Sequence, residues 1–118
     1  MANALKQRLT AGKVAIGAQL RFGTPAIAEL FGAAGFDWIL IDSEHAPQNP
    51  VGIQAQLQAI GCTAATPLVR VPNNDPDLIK PYLDMGSQSI VCPFISCRGL
   101  PPRPRQPLCP AGLSSDKT

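Results

Sequence analysis

The chain has 118 residues, 45% of them hydrophobic, which allows one domain at most and a modest core. Its formal charge of +2 is uneven: residues 1–96 carry six Lys/Arg against seven Asp/Glu and residues 97–118 carry four against one, so the first 96 offer no basic surplus for nucleic acid. No apolar run approaches the roughly 20 residues of a membrane span and the N-terminus lacks a signal-peptide core, which predicts a cytoplasmic chain with no membrane partner.

In chain order, MANALKQRLTAGK sets Ala4, Leu5 and Leu9 apart from Lys6, Gln7 and Arg8 and predicts a surface helix. Residues 14–20 predict the first strand. Thr24 and Pro25 open a helix reaching Gly35, with Thr24 as cap, Pro25 in the first turn, and Ile27, Leu30, Phe31 and Ala34 as its inward stripe. Residues 38–42 form an apolar, β-branched run of the kind buried on both faces of a parallel sheet. A second helix runs from about Asn49 to Ile60, with Asn49 as cap, Pro50 at its first position, Ile53, Leu57 and Ile60 inward, and Gly61 as its stop. Residues 67–71 predict a third strand. Asp75 and Pro76 open a third helix with Leu78, Ile79 and Leu83 inward; it ends at Gly86, with Pro81 as a potential kink. Residues 89–94 predict the fourth strand. Cys62, Cys92, Cys97 and Cys109 show no C-x-x-C pairing, so reduced thiols are expected rather than a zinc site.

This alternation of strands and helices, with strand starts roughly 25 residues apart, is the spacing of right-handed parallel crossovers. It fits either half of a (β/α)8 barrel or a small open sheet. The polar residues favour the barrel: Gln19, Asp42 and Arg70 fall at or near strand C-termini, where barrel enzymes gather their chemistry. No G-x-G-x-x-G follows the first strand, which excludes a dinucleotide-binding fold. The apolar run of residues 38–41 ends abruptly in Asp42, Glu44 and His45, two carboxylates and the only imidazole of the chain. An imidazole titrates near neutral pH and suits a general base, with a neighbouring carboxylate to fix its tautomer. Plainer roles exist: Asp42 can cap the turn that follows it, Arg70 can be half of a structural ion pair, and Asp84 can be a solvated residue at a helix end.

The segments AELFGAAGFDWILIDSEHAP, QLQAI, PLVRVPNNDP and IKPYLDMGSQSIVCPF, in this order, resemble the N-terminal half of the HpcH/HpaI aldolases. These include the 4-hydroxy-2-oxoheptanedioate aldolases and the keto-deoxy-sugar-acid aldolases. Ser43 stands where the family often has glycine. The resemblance implies an α/β fold, the N-terminal half of a TIM barrel with about four parallel strands. It implies a class II aldolase that cleaves 4-hydroxy-2-keto acids to pyruvate or a related keto acid plus an aldehyde. In that reading His45 with Asp42 removes the 4-hydroxyl proton, Arg70 binds the keto acid, Gln19 lines the substrate site, and Asp84 lies near the aldehyde end. A divalent metal (Mg, Mn or Co) and a hexamer are implied for full-length members. The family's Glu and Asp metal ligands fall beyond the sequence given, so we expect no metal ligands in this chain and an inactive product.

The match covers residues 1–96, which we read as a partial aldolase barrel. Residues 97–118, CRGLPPRPRQPLCPAGLSSDKT, hold five of the thirteen prolines and no aromatic residue. We expect an irregular Pro/Arg-rich tail, read out of frame from about Cys97. The competing expectation is a non-catalytic half-barrel that self-associates or recruits a partner through a polyproline segment at Pro101, Pro102, Arg103 and Pro104.

Overall fold

Four parallel strands alternate with helices in a computed structural model that describes residues 3–93 and 95. Helix α1 (Ala4–Thr10) leads into β1 (Gly17–Leu20), α2 (Pro25–Ala33), β2 (Trp38–Asp42), α3 (Pro50–Gly61), β3 (Thr66–Arg70), α4 (Pro76–Asp84) and β4 (Ser89–Val91). The sheet order is β1-β2-β3-β4, every pairing parallel, as in half of a (β/α)8 barrel. The expected tail, its polyproline segment, Cys97, Cys109 and Phe94 lie outside the described residues. Among the described residues no helix is long and apolar enough to cross a membrane, and Cys62 and Cys92 are free thiols.

The helix starts follow from their caps. Asn49 accepts the Gly52 N–H at 2.8 Å and Asp75 accepts the Asp77 N–H at 2.9 Å, each followed by a proline whose missing N–H needs no partner there. Thr24 occupies the corresponding position of α2 without a side-chain bond, so its carbonyl alone starts the helix. Gly35 and Gly86, with φ of 91° and 107°, turn the chain from helix to strand in a conformation that L side chains resist. Gly61, expected to stop α3, is instead its last helical residue, and Cys62 caps it. Pro81 lies inside α4, which runs on to Asp84.

The core lies between the sheet and the helices. Ile39, Ile41, Val69 and Leu20 point from the strands onto Ala28, Ile53, Leu57 and Ile60, with Ile27 and Phe31 packed alongside. The α3 stripe is therefore the expected one. On α2 the expected Leu30 and Ala34 are exposed, and the buried face is Ala28 and Gly32. Small residues win there because α2 closes on Thr63, whose side chain would meet a Cβ on Gly32 at 2.5 Å. On α4, Ile79 and Tyr82 pack inward while Leu78 and Leu83 are exposed; no described element covers that side.

The first strand is shorter than expected because Asp37 ends its ladder. The Asp37 carboxylate accepts the Ile16 N–H at 2.8 Å, and Val14 and Ile16 stay exposed. Pairing proper begins where Gly17 meets Trp38. A Cβ on Gly17 would lie 1.9 Å from the Trp38 ring, so the indole occupies the space that a side chain would take. Gly17→Ala is expected to destabilise the fold by about 1–3 kcal/mol through overpacking. An unchanged melting temperature would mean that the ring moves aside at no cost.

Candidate active site

Register decides which side chains meet. Asp42 and Arg70 end β2 and β3 and are ladder partners, with Arg70 also paired to Val91 of β4, so all three share the sheet face away from the helices. Gln19 of β1 stands opposite Leu40 on the same face, one row below, and its side chain reaches up to Asp42. This is the C-terminal edge of a parallel sheet, where the loops after the strands converge.

Asp42 is fully buried and its carboxylate is saturated. Arg70 donates to it in a fork, Nε to Oδ1 at 3.0 Å and Nη2 to Oδ2 at 2.6 Å. The Glu44 and His45 backbone N–H groups both donate to Oδ1 at 3.1 Å, Gln19 Nε2 donates to Oδ2 at 2.8 Å, and Arg21 Nε lies 3.5 Å from Oδ2. Burial by itself would raise the Asp42 carboxyl, but the Arg70 fork, the two backbone N–H groups and the Gln19 amide outweigh it and hold the group well below the usual carboxylate range. Hydrogen bonding to Asp42 in turn raises the Arg70 guanidinium above its ordinary value. Both plain readings of the sequence therefore hold in the geometry: Asp42 caps its own turn, and Arg70 is its ion-pair partner.

Glu44 also approaches Arg70, at the Nε that Asp42 shares. Its Oε2 lies 3.3 Å from Arg70 Nε, its Oε1 lies 3.5 Å from His45 Nε2, and its side chain is 10% exposed. The His45 ring is 55% exposed and faces solvent beside that carboxylate. The expected Asp42–His45 pair is thus rearranged. Asp42 holds His45 through the backbone, because its oxygens are already taken by Arg70 and Gln19, and the carboxylate beside the imidazole belongs to Glu44. Asp84 does not join them. It is the exposed last residue of α4, just ahead of β4, and so lies toward the opposite end of the sheet from Asp42 and Arg70.

Three contributors were missed by the sequence reading. Arg21 approaches Asp42 and also the His45 carbonyl, with Nη2 at 3.5 Å; its place just past the first strand was the available signal. Ser43 donates its hydroxyl to the Arg70 carbonyl at 2.6 Å and its N–H to the same oxygen at 3.1 Å, which ties the loop to β3. Gln48 Nε2 donates to the Asp42 carbonyl at 3.0 Å.

These residues do not fit a divalent cation by themselves. Among the described residues no three of His, Cys, Asp and Glu converge as ligands, and the two nearby carboxylates, Asp42 and Glu44, are both committed to Arg70. What the arrangement does offer is an exposed imidazole beside a carboxylate, next to a guanidinium held rigidly from one side. Arg70 Nη1 makes no hydrogen bond to a described residue, and the side chain is 23% exposed.

Comparison with known proteins places this edge in a family. The sequence model of the HpcH/HpaI aldolase/citrate lyase family matches residues 19–99. The chain is 47% identical over 97 residues to a 4-hydroxy-2-oxovalerate aldolase of Rhodococcus jostii (strain RHA1), covering 79% of this chain and 36% of that protein. It is 46% identical over 95 residues to a 4-hydroxy-2-oxo-heptane-1,7-dioate aldolase of Salmonella dublin, covering 80% and 36%. The crystal structure of a family protein from Burkholderia cenocepacia J2315 superposes with a TM-score of 0.74 at 39% identity, covering 80% of this chain and 38% of that one. The chain thus spans a little over a third of the length of these relatives.

Proposed function

The chain belongs to the HpcH/HpaI aldolase/citrate lyase family, and from that premise we propose that it carries the acid–base and keto-acid-binding edge of an aldolase acting on 4-hydroxy-2-oxo acids. The observation that carries this reading is the juxtaposition of His45 and Arg70 at the end of the sheet, bridged by Glu44. His45 takes the proton of the 4-hydroxyl through a water. The O–H electrons become the aldehyde carbonyl as the C3–C4 bond breaks, and the released pair leaves the keto-acid fragment as an enolate, with charge on its C2 oxygen. The outward N–H groups of Arg70 hold the keto acid and favour that charge. Asp42 and Glu44 keep the guanidinium plane fixed while this happens.

Charge explains why this edge is incomplete alone. Asp42 and Glu44 balance Arg21 and Arg70, leaving no net positive charge to attract a keto-acid anion. We propose that a divalent metal with ligands outside these residues would supply the missing charge, and no step above passes through it.

The test is pyruvate release from a 4-hydroxy-2-oxo acid by a full-length protein carrying these residues, with Mg²⁺, Mn²⁺ or Co²⁺ and after chelation. Metal-dependent release supports the reading, and its absence under all three metals overturns it. In the same protein Arg70→Lys is expected to reduce kcat/KM by about 10-fold or more, since a point charge cannot bond Asp42 in a fork and still present donors outward. Unchanged kinetics with a lowered melting temperature would reduce Arg70 to a structural ion pair.

A further inference from the structure

Behind the candidate site runs a polar chain that the proposed reaction does not use. Gln56 lies on the inward stripe of α3 among Ile53, Leu57 and Ile60, and it is fully buried. Its Nε2 donates to Gln48 Oε1 at 2.6 Å and to the Gly52 carbonyl at 3.1 Å, while its own Oε1 is buried with no hydrogen-bond partner among the described residues. Gln48 passes the connection on, donating Nε2 to the Asp42 carbonyl at 3.0 Å and to the Leu20 carbonyl at 3.4 Å. Leu20 and Asp42 are the last residues of β1 and β2, and the ladder between these two strands ends where Leu20 meets Ile41.

A buried amide with an unsatisfied oxygen is unfavourable where an apolar side chain would pack, so its presence calls for a compensating role. The geometry points to Gln48 as a positioning residue for the site, with Gln56 as its anchor. Gln48 clamps the ends of β1 and β2 at one spacing. β1 and the turn after it carry Gln19 and Arg21 toward the Asp42 carboxylate; the loop after β2 carries Glu44 and His45, whose N–H groups return to that same carboxylate. A shift between the two strand ends would loosen both sets of contacts at once. The amide of Gln56 sets the Gln48 amide so that its nitrogen faces the strands: with Gln48 Oε1 occupied by the Gln56 N–H, only Nε2 remains to point at the two carbonyls. The functional significance of the clamp rests on the aldolase reading, but the clamp itself does not.

The experiment is hydrogen exchange of the Glu44 and His45 amides in this chain, for Gln48→Met, Gln56→Met and the double variant, with melting temperatures measured alongside. Methionine keeps nearly the same volume, so each variant is expected to fold. Each single change is expected to lower the protection of both amides by about 10-fold or more, and the double variant by no more than the larger single effect, since both residues act through one connection. Protection unchanged in either single variant would overturn the clamp, as would losses that multiply in the double. A melting temperature that falls with site protection intact would also overturn it, assigning the pair to general packing. Because the readout needs no turnover, loss of protection alongside a failed aldol-cleavage assay would sink the aldolase reading and leave the clamp standing.

Discussion

Asp42→Ala is expected to lower the unfolding free energy of this chain by about 3–5 kcal/mol, the usual cost of removing one member of a buried ion pair. Asp42 is fully buried and is the hub for Arg70, Gln19 and the N–H groups of Glu44 and His45. Alanine would leave all of these without their acceptor, and only Arg70 has a second carboxylate at hand in Glu44. A domain of this size has only about 5–15 kcal/mol in total, so the variant would lose a large share of its stability. The pH dependence gives the loss a signature. Because the folded Asp42 carboxyl is held below its unfolded value, its contribution is complete above an unfolded pKa of about 3.9 and fades as pH falls below that toward the lower folded value. Urea unfolding at pH 7 and pH 3 should therefore show the gap between parent and variant narrow by about 1 kcal/mol at the lower pH. A gap that stays constant, or widens in acid, would mean that Asp42 is not held as an ionised hub.

How much of this was legible in the sequence divides along one physical line. Parallel strands buried on both faces, proline-led helix starts and strand-end polar residues are local or periodic signals, and they placed β2, α3, Gln19, Asp42 and Arg70 correctly. Side-chain partners depend on register across strands. Asp42 and His45 are three residues apart and invite pairing, yet the Asp42 carboxylate turns to Arg70, its partner 28 residues on, because the ladder sets them side by side. Size also misled: Leu30 outranks Ala28 and Gly32 in hydrophobicity, but the helix buries those two, and at Gly32 it approaches Thr63 too closely for a side chain. Asp84 was placed by resemblance alone, and topology sets it toward the other end of the sheet. Gln56 was visible as a polar residue within an apolar stripe, but only the structure shows that it reaches Gln48 and, through it, the strand ends.

His45→Ala, in a full-length protein carrying these residues, is expected to reduce aldol-cleavage turnover by about 10²-fold or more, the range for loss of a general base. The structure adds a second half to this expectation. Most of the ring is exposed, its one ionic neighbour among the described residues is Glu44 at 3.5 Å, and its bond to Asp42 is made by the backbone N–H, which alanine retains. The variant should therefore keep its stability within about 0.5 kcal/mol, as for surface substitutions away from buried contacts. Asp42→Ala and His45→Ala thus separate two roles that the sequence had joined in one pair: the first removes the hub that shapes the edge, and the second removes the group proposed to take the proton. Near-parental turnover in His45→Ala would take the imidazole out of the mechanism. A loss of turnover accompanied by a comparable loss of stability would show that the ring, though exposed here, helps to hold the loop on which it sits.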